Sequence, residues 1–163
     1  MSQTVPKGSP VRRLRAIGYA ALLPLGLMCA SSAWADNCTG YDALVVKSAD
    51  TIDLGGGLKQ TTLRLHSVLF SNDSIYNLAT GECSVVLLQT PDGKVQQQGF
   101  CARHDKDGDT QSIAIRRLPG ADKVEWRTTS GTGKFAGKQN SGWAQFVRED
   151  GPMSVAKWGG DCH

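Results

Sequence analysis

Residues 81–109 read GECSVVLLQTPDGKVQQQGFCARHDKDGD. Two strand-like runs, Glu82–Thr90 and Lys94–Arg103, flank Pro91-Asp92-Gly93. Proline pre-sets φ for the first central turn position, aspartate suits the second, and glycine takes the left-handed position that follows. This is the chemistry of a three-residue hairpin loop with a bulge at its glycine. With Thr90 facing Lys94, opposed residues carry numbers that sum to 184, and Cys83 and Cys101 meet that condition. Counting from 90:94 as a hydrogen-bonded pair, 83:101 is a non-hydrogen-bonded pair, where side chains come closest. Such Cα atoms lie within disulfide reach, so a Cys83–Cys101 bridge is expected.

The chain opens on a different kind of segment. Lys7, Arg12, Arg13 and Arg15 form a basic region without an acid, an apolar run follows from Ala16 to Ala30, and Ala33-Trp34-Ala35 fits a small-x-small cleavage site. Residues 1–35 are therefore read as a cleaved signal peptide and 36–163 as a single exported domain, periplasmic or secreted. The apolar run is shorter than the roughly 20 residues of a membrane span. Arg15 stands where a twin-arginine signal wants an apolar residue, which favours ordinary secretion. Met28 before Cys29 does not suit a lipoprotein site.

Removing the signal changes the charge argument. The whole chain carries 18 basic and 15 acidic residues, net +3. The signal holds four of the basic ones and none of the acidic, leaving 14 against 15, net −1. No block of like charge remains, so neither nucleic acid nor an anionic membrane is an expected partner. The mature chain keeps Cys38, Cys83, Cys101 and Cys162, an even number for an oxidising compartment. If Cys83 pairs with Cys101, Cys38 pairs with Cys162 by elimination. A four-cysteine metal site is disfavoured, because no Cys-x-x-Cys spacing occurs.

Helical periodicity is nearly absent from the mature chain. Short alternating runs recur between Gly, Asp, Asn and Pro. Further strands are expected at Tyr41–Lys47, Gln60–Phe70, Thr110–Arg117, Lys123–Thr129, Trp143–Arg148 and Met153–Trp158, with loops at Asp50–Gly57 and Ser130–Gly142. About eight strands with short connections make an antiparallel meander. Closure into a barrel removes the exposed edges, and a Cys38–Cys162 bridge favours closure over the alternative, a β-sandwich. On the hairpin, Cys83, Val85, Leu87, Val95, Gln97, Gly99 and Cys101 share the face placed inside. Val86, Leu88 and Phe100 share the other face, where an oligomer interface is one reading.

Several segments suggest chemistry. Asp105, Asp107 and Asp109 alternate through a tight turn, as at the start of a calcium loop. Thr110 stands where such a loop needs its glycine and Arg116 where it needs its bidentate glutamate. An acidic β-turn is thus the favoured reading, with Ca²⁺ as the alternative. The run 130–138, SGTGKFAGK, misses the phosphate-loop spacing and reads as a glycine-dependent bend with Phe135 tucked inward. Neither a nucleophile elbow nor a cysteine–histidine signature occurs, so no catalytic residue is assigned. Of the three histidines, His66 falls on an exposed face and His163 ends the chain. Only His104, beside Asp105, merits a test. Trp126, Trp143 and Trp158 are expected in the core or at the barrel ends, with a cavity partly lined by them as the sharper hypothesis.

In order along the chain come Gly81-Glu82-Cys83, Gly99-Phe100-Cys101, Asp105-x-Asp107-Gly108-Asp109 and Gly131-Thr132-Gly133-Lys134-Phe135-Ala136-Gly137. This array resembles exported bacterial proteins of uncharacterised function. It is also similar to the allene-oxide-cyclase-like and dirigent-like β-barrels, in which a Gly-Thr-Gly-Lys-aromatic-x-Gly segment precedes a late strand. The resemblance covers roughly Gly81–Trp143. It departs at Lys138-Gln139-Asn140-Ser141, and no catalytic residue of the cyclases maps onto this sequence. It implies an eight-stranded barrel with an apolar cavity. Three functions follow as expectations. The first is a non-enzymatic binding protein for a small apolar ligand or a protein partner. The second is a cofactor-free cyclase or isomerase. The third is a calcium-dependent module.

Overall fold

A computed structural model of the chain describes residues 37–162. The expected signal segment, Asp36 and His163 lie outside the described residues. Eight strands follow one another: β1 (Cys38–Gly55), β2 (Leu58–Ser71), β3 (Thr80–Gln89), β4 (Val95–His104), β5 (Thr110–Arg117), β6 (Val124–Gly131), β7 (Ser141–Asp150) and β8 (Met153–Asp161). Each pairs antiparallel with its neighbour, and β8 pairs back onto β1 from Cys38↔Gly160 to Val45↔Met153. The sheet is a closed barrel, and the sandwich alternative is set aside.

The hairpin register is as the turn chemistry requires. Cys83 lies opposite Cys101 and Gln89 opposite Val95. The Thr90 amide donates to the Lys94 carbonyl at 2.9 Å, and Gly93 takes φ 80°. Cys83 and Cys101 are disulfide-bonded with Cα atoms 4.0 Å apart, and Cys38 and Cys162 with Cα atoms 5.9 Å apart. Cys83, Val85, Gln97 and Cys101 are buried, while Phe100 on the opposite face is 64% exposed.

One expected boundary is wrong. The loop read over Asp50–Gly57 is mostly strand: β1 continues past Tyr41–Lys47 and pairs from Asp50↔Thr62 to Gly55↔Leu58. A bulge between Val46 and Ser48 marks the point where β1 leaves the barrel wall. Beyond it β1 has no partner on its β8 side, and residues 48–55 are exposed. Such a ribbon has no buried face, so it carries no alternation to read. Its turn is made by Gly55, Gly56 and Gly57, all at positive φ.

The two ends of the barrel differ. The rim carries four short hairpin turns, and its inward residues Leu63, Leu87, Ile115 and Phe146 are only partly buried. The base carries the longer connections, 72–79, 105–109 and 132–140, together with the Cys38–Cys162 bridge. There Tyr76 and Phe135 are buried against each other, ring centroids 5.5 Å apart, and Tyr76 meets Trp158 edge-on. Phe135 sits on a short 3₁₀ turn, Gly133–Phe135, tucked inward as expected.

In the chain-entropy picture a cross-link contributes more as its loop lengthens, giving about 3 kcal/mol for a separation of 18 residues and about 5 kcal/mol for 124. Urea unfolding of Cys83→Ala/Cys101→Ala and of Cys38→Ala/Cys162→Ala should therefore show the larger loss in the second pair. The reverse order would mean that the hairpin bridge, not the terminal one, limits barrel opening.

Candidate functional site

Glycines on the inner face decide how the interior is filled. Ser67, Gly81, Arg103 and Gln111 form one transverse row across β2–β5. A Cβ at Gly81 would strike the Ala102 carbonyl and the Arg103 Cα. Without one, the Arg103 side chain crosses β3 to two neighbours. Its Nε donates to Ser67 Oγ at 3.2 Å and its Nη2 to Asp42 Oδ2 at 2.5 Å. Ser67 Oγ donates to the other Asp42 oxygen at 2.7 Å. A second row places Gly142 and Gly160 beside Trp126, and Cβ atoms there would meet the Trp126 ring. The indole lies over them and its Nε1 donates to the Trp143 carbonyl at 3.2 Å.

These rows leave a cavity of about 70 Å³ to which all eight strands contribute, with Leu65, Ile113, Trp126, Phe146 and Trp158 in its wall. That exceeds the roughly 10–15 Å³ one water needs and falls well below the roughly 300–1,000 Å³ of a drug-sized pocket. Polar groups reach it from several strands: Asp42, Gln97, Arg103 and Gln111, with Tyr76 from the base. Gln111 Nε2 donates to Thr128 Oγ1 at 3.0 Å, and the Asn140 amide donates to the Tyr76 hydroxyl. Burial pushes the Tyr76 phenol up to about 12. Burial also pushes the Asp42 carboxyl above its usual range, against the opposing pull of Arg103 and Ser67. Gln97 is 5% exposed and borders the cavity.

The acidic turn folds into a latch at the base. Asp105 Oδ1 accepts the amides of Asp107 and Asp109 at 2.9 and 3.0 Å. Lys134 Nζ lies 2.5 Å from Asp105 Oδ2, 2.7 Å from Asp107 Oδ2 and 4.0 Å from Asp109 Oδ2. The Lys134 amide donates to Asp109 Oδ2 at 3.1 Å. The three aspartates singled out from the sequence do converge, and what they converge on is an ammonium. Hydrogen bonding to Lys134 lowers the Asp105 carboxyl, and Lys106 with Lys134 lowers Asp107 to about 2. Among the described residues, no group of three or more His, Cys, Asp or Glu is disposed to hold a metal ion. The latch holds the turn that carries Phe135, so it fastens the base of the barrel.

The remaining expectations divide. Trp126 and Trp158 line the cavity, whereas Trp143 faces outward beneath Lys123, whose Nζ is 4.1 Å from the ring centroid. His104 is exposed, 3.2 Å from Thr80 Oγ1, and outside the cavity wall. His66 meets Glu82 on the outer surface. Asp42, Arg103 and Gln111 were not singled out from the sequence. Each continues the inward parity of its strand, and a polar residue on an apolar parity is the signal that marks them.

No family model matches the chain, and no curated protein matches it. Among solved structures it is similar to the pterocarpan synthase dirigent protein GePTS1, at 14% identity over 74% of this chain and 79% of that one, with a TM-score of 0.46.

Arg103→Met strands the Asp42 carboxylate in the interior and should cost about 3–5 kcal/mol at neutral pH. A carboxyl whose folded pKa is raised gives stability below its unfolded value near 3.8, which is lost as pH rises through the folded pKa. The Arg103→Met defect should thus shrink toward pH 4, and Asp42→Asn in the same background should restore most of the loss. Denaturant unfolding across pH checks both. At the latch, lowered carboxyls give stability above pH 3.8 that is lost as pH falls toward 2, and Lys134→Met should flatten that acid limb. Millimolar calcium should leave the wild-type Tm within about 1 °C. A clear rise would instead make Asp105, Asp107 and Asp109 ligands.

Proposed function

We propose that this protein is an exported, non-enzymatic barrel that takes a small, largely apolar molecule into its interior. The observation that carries this reading is the cavity itself, which has an apolar wall from every strand and a plugged base. A barrel that served only as a scaffold would fill that space with side chains. The rim supplies the way in, because its inward apolar residues are only partly buried. Export is supported by the basic and apolar segment before Asp36 and by two disulfides, which persist in oxidising compartments.

Binding is favoured over a cyclase or isomerase activity by the state of the interior acids and bases. Asp42 is held by Arg103 and Ser67, and Tyr76 is pushed away from neutral titration while accepting from Asn140. General acid–base work needs a group free to exchange its proton near the operating pH.

Trp126 and Trp158 report on the cavity directly. Titration with 1-hexanol or toluene should shift or quench their emission and raise the Tm by ligand linkage. Ala144→Phe, which places a ring in the cavity, should abolish both responses while keeping the fold. If wild type and Ala144→Phe respond alike, the interior is not the binding site.

A further inference from the structure

Part of the inner face near the rim is polar in a way the fold does not use. Gln97 on β4 lies directly opposite Arg117 on β5. Gln97 borders the cavity and is buried. Strand alternation puts Arg117 on the same face, because Gln111, Ile113 and Ile115 precede it there and all three line the cavity. The Arg117 Nε is buried without a hydrogen-bond acceptor. No carboxylate among the described residues forms an ion pair with it. The other inner-face cation, Arg103, is matched by Asp42. Arg117 therefore brings one unmatched positive charge to the inner face near the rim, beside the Gln97 amide. On the other side of Gln97 stands the apolar Leu87.

Buried donors without acceptors are costly, and a buried or half-buried cation without a counter-charge more so. A ligand that supplies an anion removes both costs at once. A guanidinium presents paired N–H donors in the spacing of a carboxylate, and the resulting bonds are charge-assisted. An amine would be repelled, and an alcohol would leave the charge unmatched. We infer that Arg117 and Gln97 form the head-group site for a small amphiphilic carboxylate whose apolar body occupies the barrel cavity. This rests on the cavity being the ligand site and names the class of ligand it takes.

The test compares hexanoate with 1-hexanol on the mature protein at neutral pH, read by tryptophan emission and by Tm. Hexanoate should bind at least about tenfold more tightly than the alcohol. Arg117→Met should bring the two affinities together, and Arg117→Lys should keep part of the preference, since a point charge remains without the planar fork. Gln97→Leu should weaken hexanoate severalfold and provides a second variant if Arg117→Met lowers the Tm. Equal affinity for acid and alcohol in the wild type would overturn the head-group site and leave the cavity reading standing. A preference that survives Arg117→Met would also overturn it. If neither compound binds, the cavity reading fails and this one with it.

Discussion

The pairing of β8 back onto β1 is the constraint on which the rest depends. Eight residue pairs, Cys38↔Gly160 to Val45↔Met153, convert an open meander into a cylinder with no free edge within the wall. Closure sets the interior volume, so each inward residue has a limited space that its neighbours must leave. Large inward groups then require small ones beside them in the same transverse row. Trp126 needs Gly142 and Gly160, and the long reach of Arg103 needs Gly81. The Cys38–Cys162 bridge lies at the end of this seam and ties it covalently. It does not create the seam, which is hydrogen-bonded along its length.

Legibility in the sequence follows the range of the interaction concerned. The Cys83–Cys101 pair could be found by counting, because a three-residue turn transmits register to two residues 18 apart in sequence without outside help. Cys38–Cys162 followed only from the parity of the cysteine count. The extent of β1 was hidden because residues 48–55 stand clear of the core and both of their faces are wet. Nothing selects an alternating pattern there, and Asp50, Thr51 and Asp53 before the three glycines read as loop.

The functional groups were hidden for a different reason. Arg103 meets Asp42 across 61 residues, and Lys134 meets Asp105 from a separate loop 29 residues on. No local spacing encodes either contact. The alternation of Asp105, Asp107 and Asp109 is local to the turn, whereas the Lys134 ammonium they share comes from a distant loop. What the strand parity did contain was the presence of polar residues on apolar faces. Gln97 among Val95, Gly99 and Cys101 is visible in one dimension.

The asymmetry of the two ends gives the interior its direction. At the base, Tyr76, Phe135 and Asn140 close the barrel, and the Lys134 latch holds the turn bearing Phe135 in place. The carboxylates of the acidic turn share the Lys134 ammonium there. Toward the rim the apolar residues are half-buried, and the Arg117 Nε has no acceptor. A closed sheet cannot easily open its wall, since each strand would lose a whole ladder of hydrogen bonds. Exchange with solvent is therefore confined to the ends, and the cross-linked, latched base is the harder one to open. The unmatched Arg117 cation and the accessible apolar surface thus lie at the same end, which is where a molecule entering the cavity would leave its polar head.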